Sequence, residues 1–199
     1  MIHKTKAFRL SILALFIAFI IIQNFVPLLG YIPVGPLSLT TIQITVIIAA
    51  VIFGPVDGGI VGAVWGILSC IKAFTAPSSP VEPLIFTNPL IAVIPRIVVG
   101  IVAGYLFILL NKLKFKKTIS MVLSGLAGAL TNTILVLGLI YIFYRTPAVA
   151  HAYGVSDPKY LGGLLLVVIA TNGIPEAILS SIITPIISLP LGHYINRDE

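Results

Sequence analysis

Residues 119–144 read ISMVLSGLAGALTNTILVLGLIYIFY and contain no charged side chain. An α-helix needs roughly 20 mostly apolar residues to cross a bilayer, at about 1.5 Å of rise for each residue. This stretch is long enough to cross a membrane with little polar surface, so it predicts a membrane-spanning helix. The segments on either side of it repeat the pattern.

The composition of the whole chain agrees with a membrane protein. Of its 199 residues, 58% are hydrophobic and 9% are charged, and the mean hydropathy is +1.14. Soluble domains carry about 25% charged residues, so this composition excludes a water-soluble enzyme and a disordered tail. The formal charge of +6 comes from 12 Lys and Arg residues spread along the chain, which form no basic face for nucleic acid. We therefore predict a multi-pass protein of the cell membrane.

Six apolar runs predict an all-α integral membrane protein, a six-transmembrane-helix bundle that forms a single domain over residues 1–199. The predicted spans cover about 7–29, 39–53, 58–74, 89–110, 119–144 and 161–191. The first run is too long for a signal peptide and lacks a cleavage site of small residues. The last run contains Pro175, Pro185 and Pro190, so we expect it to kink or end early.

The basic residues predict the orientation of this bundle. With six spans, both termini share one side with the loops after spans 2 and 4, and that side holds eight Lys and Arg residues against three on the other. The eight are Lys4, Lys6, Arg9, Lys112, Lys114, Lys116, Lys117 and Arg197; the three are Lys72, Arg145 and Lys159. Cytoplasmic loops carry the excess of positive charge, so both termini are predicted to be cytoplasmic. The outer loop 75–88 contains three prolines and is predicted to be a stiff, extended lid.

Small residues four apart on a helix allow close helix packing in a membrane. They occur in three of the predicted spans: Gly58, Gly62 and Gly66; Gly100 and Gly104; and Ala14 and Ala18. For the glycines we favour packing inside the bundle. The alanines lie in an otherwise bulky first span, where they offer a surface for a separate protein.

Polar side chains occur at overlapping predicted depths on four spans. Counted from the outer ends, the depths are ~10 Å for Arg96, ~13 Å for Trp65, ~18 Å for Asn132 and ~16–22 Å for Asn172 and Glu176. Lys72 and Asn88 lie near the outer mouth. Because ionisable groups inside a membrane usually mark a ligand or a pathway, we predict a pocket that opens outward.

Each residue of this pocket also has a purely structural interpretation. Arg96 and Glu176 are candidates for a buried ion pair, and Asn132 for a hydrogen bond between helices. Asn172 precedes Gly173 and Pro175, where it can satisfy backbone groups freed at a kink. Trp65 is equally consistent with core packing, and Asn88 before Pro89 is better explained as a helix N-cap.

The charge of the predicted pocket limits its ligand. One arginine suits a single carboxylate, whereas amide side chains suit hydroxyl and amide groups because they both donate and accept. A polyanion would require more positive charge, so we expect a small, polar, at most singly acidic ligand. The sequence contains no phosphate-binding loop and no Cys/His cluster for a metal. It therefore predicts no cofactor and no enzyme.

These features together resemble the substrate-binding S component of energy-coupling-factor (ECF) vitamin transporters. The resemblance rests on six spans in about 200 residues, the Ala14-x-x-x-Ala18 pair, the Phe53-Gly54-Pro55 turn and the glycine-rich third span. Four further stretches are most similar to the pantothenate-specific members: Ile32-Pro33-Val34-Gly35-Pro36, Thr75-Ala76-Pro77-Ser78-Ser79-Pro80, Asn88-Pro89 and Ile94-Pro95-Arg96.

The resemblance implies a complex with a transmembrane coupling subunit, bound through Ala14 and Ala18, and two cytoplasmic ATPases. It implies that the chain binds a vitamin outside and topples in the bilayer to release it inside. Arg96 would bind the carboxylate of pantothenate, Asn132 and Asn172 its amide and hydroxyls, and Trp65 its apolar centre. Two alternatives stay open: another vitamin or precursor, such as hydroxymethylpyrimidine or riboflavin, and a self-contained membrane enzyme or small channel.

Overall fold

The structure is a computed structural model that describes residues 6–26, 28–34 and 37–196. Its main helices are α1 (Lys6–Phe25), α2 (Ile42–Phe53), α3 (Pro55–Thr75), α6 (Ile94–Lys112), α7 (Lys117–Phe143), α9 (Leu161–Val168) and α10 (Ile174–Asn196). Three short helices lie in the loops: α4 (Glu82–Ile85), α5 (Pro89–Ala92) and α8 (Pro147–Ala152). A hairpin of β1 (Tyr31–Val34) and β2 (Leu37–Thr40) joins α1 to α2. Lys4 and Arg197 of the orientation argument, and Gly35 and Pro36 of the resemblance, lie outside the described residues.

The predicted all-α membrane bundle is confirmed, with the small β-hairpin as an addition. Five segments of the described chain are long and apolar enough to cross a membrane: Ala7–Phe25, Pro55–Thr75, Pro89–Lys112, Lys117–Phe143 and Pro158–His193. A sixth apolar helix, Ile42–Phe53, has 12 residues and lies in the middle of the bundle, where nearly all of its residues are buried. The six-span count and the cytoplasmic termini stay predictions.

The chain between α2 and α3 turns sharply at Gly54. Its φ of 102° lies where residues with a side chain are strained, so glycine suits the position. Pro55 follows in the first turn of α3, where the missing N–H of proline has no helical partner to lose. Two residues later, Asp57 accepts a hydrogen bond of 2.7 Å from Nε of Arg9, which links α1 to this end of α3.

The last predicted span is interrupted near its first proline. Between α9 and α10 the chain forms a π-helical turn, Ile169–Gly173, directly before α10. Such turns accommodate a break in the regular hydrogen-bond ladder, which Pro175 requires. Pro185 and Pro190 lie inside α10, which continues to Asn196. Of the two expected alternatives, a kink or an early end, the chain shows an interruption near Pro175 and no early end.

The glycines of α3 and α6 bring these two helices into backbone contact. A Cβ atom added at Gly62 would lie 2.1 Å from the carbonyl oxygen of Arg96, and one at Gly100 would lie 2.2 Å from the backbone of Gly58. Gly66 similarly faces the backbone of Val93 at 2.6 Å. The prediction that these glycines pack inside the bundle is confirmed. This contact fixes the position of the first turn of α6, which carries Arg96.

Candidate binding site

A cavity with polar side chains lies at one end of the bundle and is lined by the hairpin, α3, α4 and the residue after it, α6, α7, α9, the π turn and α10. Its lining consists of Tyr31, Ser38, Thr40, Ser69, Lys72, Glu82, Phe86, Arg96, Asn132, Thr133, Val136, Leu137, Val168, Asn172, Gly173 and Glu176. Five of the seven predicted ligand-binding residues are among them: Lys72, Arg96, Asn132, Asn172 and Glu176. Side chains that are far apart in sequence thus meet at one place, as their shared depth predicts.

Arg96 is buried and forms no ion pair with a carboxylate of the described residues. Its Nη1 atom donates a 2.6 Å hydrogen bond to the carbonyl of Ile91. Its Cζ atom lies 5.0 Å from the ring centroid of Trp65 and 4.8 Å from that of Phe86. Aromatic faces attract a guanidinium electrostatically and restrict its plane. Within the described residues its Nε atom has no hydrogen-bond partner, so a buried donor is left for a ligand.

The carboxylate of Glu176 accepts one hydrogen bond on each of its two oxygens. The backbone N–H of Thr40 donates to Oε1 at 2.5 Å, and Nε2 of Gln43 donates to Oε2 at 3.1 Å. The described part of the chain has no direct ion pair between Glu176 and Arg96. The alternative of a buried Arg96–Glu176 pair is therefore not what the structure forms. Glu176 instead attaches the hairpin to α10.

The two asparagines line the cavity from α7 and from the π turn. Asn132 is buried, and its Oδ1 atom has no hydrogen-bond partner among the described residues. Asn172 is also a buried residue of the lining, and its Oδ1 accepts a 3.0 Å hydrogen bond from Thr171 Oγ1. Because π turns project side chains out of the regular helical register, Asn172 owes its position to the break before α10.

Tyr31 attaches the hairpin to α1 and α3. Its hydroxyl lies 3.0 Å from Asn24 Oδ1 and 2.9 Å from Ser69 Oγ, and it accepts a 3.2 Å hydrogen bond from Trp65 Nε1. Burial raises the pKa of the Tyr31 hydroxyl above its ordinary value, so it is protonated at neutral pH. The hairpin is thus held at Tyr31 by α1 and α3 and at Thr40 by α10.

Two segments cover the cavity: the β1–β2 hairpin and the segment 76–88, which together we call the cover. Lys72 lies with its Nζ atom 3.8 Å from the ring centroid of Tyr31 and donates a 2.5 Å hydrogen bond to Ser78 Oγ. The N–H of Ser78 in turn donates to Oε2 of Glu82 at 2.6 Å. The predicted extended lid is instead folded into turns and the short helix α4. Its residues Glu82 and Phe86 line the cavity.

Trp65 and Asn88 lie beside the cavity rather than in its lining. The Trp65 side chain is fully buried behind Arg96 and Tyr31. Asn88 caps α5, because its Oδ1 accepts a 2.9 Å hydrogen bond from the N–H of Leu90, and its Nδ2 donates to Tyr144 at 3.1 Å. The N-cap interpretation of Asn88 is confirmed, and contact of either residue with a ligand stays a prediction.

Ala14 and Ala18 lie on an exposed face of α1. In the apolar window of this helix 22% of residues are buried, against 33–50% in the other four candidate spans. The helix therefore presents a small-residue surface that the bundle itself does not cover.

Sequence reasoning missed the residues that come from the cover and its supports. Tyr31, Ser38 and Thr40 lie in short strands within a segment that the prolines and glycines marked only as a loop. Ser69 lies one helical turn after Trp65 on the same face of α3, a signal that the sequence contains. The remaining missed residues are Gln43, Glu82, Phe86, Thr133, Val136, Leu137, Val168 and Gly173.

A bundle of apolar helices around a buried polar cavity, closed by loops at one end, defines a membrane-embedded small-molecule binding protein. A family model described as "ECF transporter, substrate-specific component" matches residues 8–188. The chain belongs to this family of multi-pass membrane proteins. The members are transporter components and not enzymes, which confirms the transport interpretation over the enzyme alternative.

Two curated relatives are similar over most of their length. The chain is 36% identical to the pantothenate transporter PanT of Leuconostoc mesenteroides subsp. mesenteroides over 197 residues, covering 92% of this chain and 95% of the relative. It is 33% identical to the pantothenic acid transporter PanT of Lactococcus lactis subsp. cremoris over 194 residues, covering 91% and 92%.

Proposed function

We propose that this chain is the pantothenate-binding subunit of an ECF transporter, which captures the vitamin outside the cell and delivers it inward. The names of the two relatives support this substrate, since the similarity extends over 92% and 91% of the chain. The cavity supports it independently through its chemistry. Pantothenate carries one carboxylate, one amide, two hydroxyls and an apolar gem-dimethyl centre, and the lining offers a counterpart to each.

The observation that carries the proposal is the buried arginine. A guanidinium without a carboxylate partner inside a membrane protein is unfavourable unless a ligand supplies the anion. Arg96 is fixed by the Ile91 carbonyl and by two aromatic rings, and its Nε has no partner within the described residues. It is thus preorganised for one carboxylate. Contact with the two rings also restricts the Arg96 side chain before binding, which reduces the entropy lost when the ligand binds.

The remaining groups of pantothenate have matching side chains. Asn132, with its buried acceptor, and Asn172 bind the amide and hydroxyl groups. Val136, Leu137 and Val168 provide an apolar wall for the gem-dimethyl centre. Trp65, to which the resemblance assigned that contact, acts from behind by orienting Arg96.

Transport requires partners that this chain does not contain. We propose that a transmembrane coupling subunit binds the exposed face of α1 at Ala14 and Ala18, and that two cytoplasmic ATPases provide the energy. Both termini are then cytoplasmic and the chain spans the membrane six times, with α2 as the short central span. Small residues suit this contact because they let a partner helix approach closely.

Uptake of labelled pantothenate into proteoliposomes tests this function. We expect uptake with the chain, the coupling subunit, the ATPases and internal ATP, and none with the chain alone. Ala14→Trp or Ala18→Trp should abolish uptake and leave binding to the detergent-solubilised chain intact. Pantothenate flux through the chain alone would contradict the proposal and favour an autonomous channel.

A further inference from the structure

We propose that Glu176 determines which form of the ligand is accepted: its carboxylate binds the terminal hydroxyl of pantothenate and excludes the phosphate monoester at that hydroxyl. This inference rests on the proposed function and deepens it. It also explains why a carboxylate lies in the cavity of a protein that binds an anion.

The carboxylate of Glu176 can accept more hydrogen bonds than the two that it receives from Thr40 and Gln43. The side chain is 7% exposed, lines the cavity, and receives one hydrogen bond on each oxygen, from Thr40 and from Gln43. A carboxylate offers about four acceptor positions and no donor. A ligand hydroxyl is a donor and complements the remaining positions. A phosphate monoester presents acceptor oxygens in the same place, which are repelled.

The charges around the cavity leave little to stabilise a second anion. The lining contains two cationic side chains, Lys72 and Arg96, and two acidic ones, Glu82 and Glu176. In the proposed pose Arg96 is occupied by the ligand carboxylate. Lys72 is engaged at the outer rim by Ser78 and the Tyr31 ring. A phosphate monoester adds about −1.5 to −2 charges at neutral pH, and these would face Glu176.

The hairpin makes this exclusion stronger. Thr40 donates its backbone N–H to Glu176, so the carboxylate is fixed in place by the cover of the cavity. A ligand that pushes Glu176 away also breaks the attachment of β2 to α10. The phosphate monoester therefore weakens the attachment of the hairpin to α10, whereas the free hydroxyl adds a hydrogen bond to Glu176.

Gln43 makes a conservative test possible. Its side chain is fully buried, and its Oε1 atom has no partner among the described residues. In Glu176→Gln the new amide can accept from Thr40 and donate to Gln43, so the hydrogen bonds at this position persist while the charge is removed. Asp57→Asn is the matched control, because it removes another buried carboxylate, near the N-terminus of α3, about 22 Å along that helix from Lys72.

Competition with labelled pantothenate on the purified full chain measures the effect. For the wild type we expect the 4′-phosphate monoester to bind about 100-fold more weakly than pantothenate, because unscreened like charges repel strongly. Glu176→Gln should reduce the ratio of the pantothenate affinity to the phosphate-monoester affinity by about tenfold or more. Asp57→Asn should leave this ratio at the wild-type value. Pantothenate lacking the terminal hydroxyl should lose about tenfold in affinity for the wild type and less for Glu176→Gln.

The possible outcomes distinguish a failure of the role proposed for Glu176 from a failure of the proposed function. Pantothenate binding with an unchanged ratio in Glu176→Gln would overturn the role of Glu176 and leave the function standing. Equal wild-type affinity for pantothenate and its phosphate monoester would overturn the same role, without depending on any variant. If the folded wild type shows no saturable pantothenate binding, the proposed function fails, and the role of Glu176 fails with it.

Discussion

Gly62→Ala tests whether the glycine contact between α3 and α6 positions the binding arginine. The added Cβ would lie 2.1 Å from the carbonyl oxygen of Arg96 and 2.8 Å from its carbonyl carbon. Ordinary contact begins at 3.4 Å, and both atoms belong to backbone, which no rotamer change can move. The first turn of α6 must therefore withdraw, and Arg96 withdraws with it.

The expected size follows from the geometry. Overpacking of this kind reduces the free energy of unfolding by about 1–3 kcal/mol, and the higher helix propensity of alanine offsets up to about 1 kcal/mol. Binding is more sensitive than stability. A shift of ~1 Å lengthens a charge-assisted hydrogen bond worth about 1.5–3 kcal/mol beyond its useful range. We expect pantothenate affinity to fall by about 10- to 100-fold.

Gly59→Ala is the matched control on the same helix. Its Cβ would lie 3.3 Å from Cγ1 of Ile101, and its other near neighbours are also flexible side chains. Isothermal titration calorimetry and thermal unfolding in detergent should show near-wild-type behaviour for Gly59→Ala and weakened binding for Gly62→Ala. Equal pantothenate affinity in the two folded variants would refute the positioning of Arg96 by this contact.

Three further predictions concern the cover and its supports. Tyr31→Phe removes the hydroxyl that contacts Ser69 and Trp65. We expect the attachment of the hairpin to α3 to weaken by about 1–2 kcal/mol, so that labelled pantothenate dissociates faster in a chase experiment. An unchanged dissociation rate would contradict attachment of the hairpin by this hydroxyl. Asn88→Ala removes an N-cap and should lower the unfolding free energy by about 1 kcal/mol while pantothenate affinity stays at the wild-type value; a large loss of affinity would show direct contact. Burial raises the pKa of Tyr31, so the unfolded chain loses this proton at a lower pH than the folded chain does. Raising the pH above the ordinary tyrosine range should therefore destabilise the fold. In melting curves recorded over a pH series, Tyr31→Phe should lose less stability at alkaline pH than the wild type.

Depth along a helix can be read from sequence, and it identified four of the cavity-lining residues. Arg96, Asn132, Asn172 and Glu176 meet because membrane helices have a fixed rise and run side by side. The direction in which a side chain points around its helix was not readable in the same way. Trp65 was predicted at a similar depth, yet its ring lies behind Arg96, because the contact of Gly62 with the backbone of α6 sets the rotation of α3.

The structure of the cover could not be predicted from the sequence. Two strands of four residues, of which β1 contains Pro33, have too little periodicity to distinguish from a loop. Thr40 reaches Glu176 across 136 positions of sequence, a pairing that only the assembled bundle defines. Gln43 was visible as the polar edge of a wholly apolar run, but its partner was not.

Equilibrium binding of labelled pantothenate to the purified, detergent-solubilised chain, beside Arg96→Ala, tests the central claim most directly. We expect saturable binding by the wild type, competed by unlabelled pantothenate and by neither riboflavin nor hydroxymethylpyrimidine, and its loss in the folded Arg96→Ala variant. Saturable binding that survives the substitution would return Arg96 to a structural role. A folded wild-type chain that binds another vitamin and not pantothenate would contradict the assignment of the substrate.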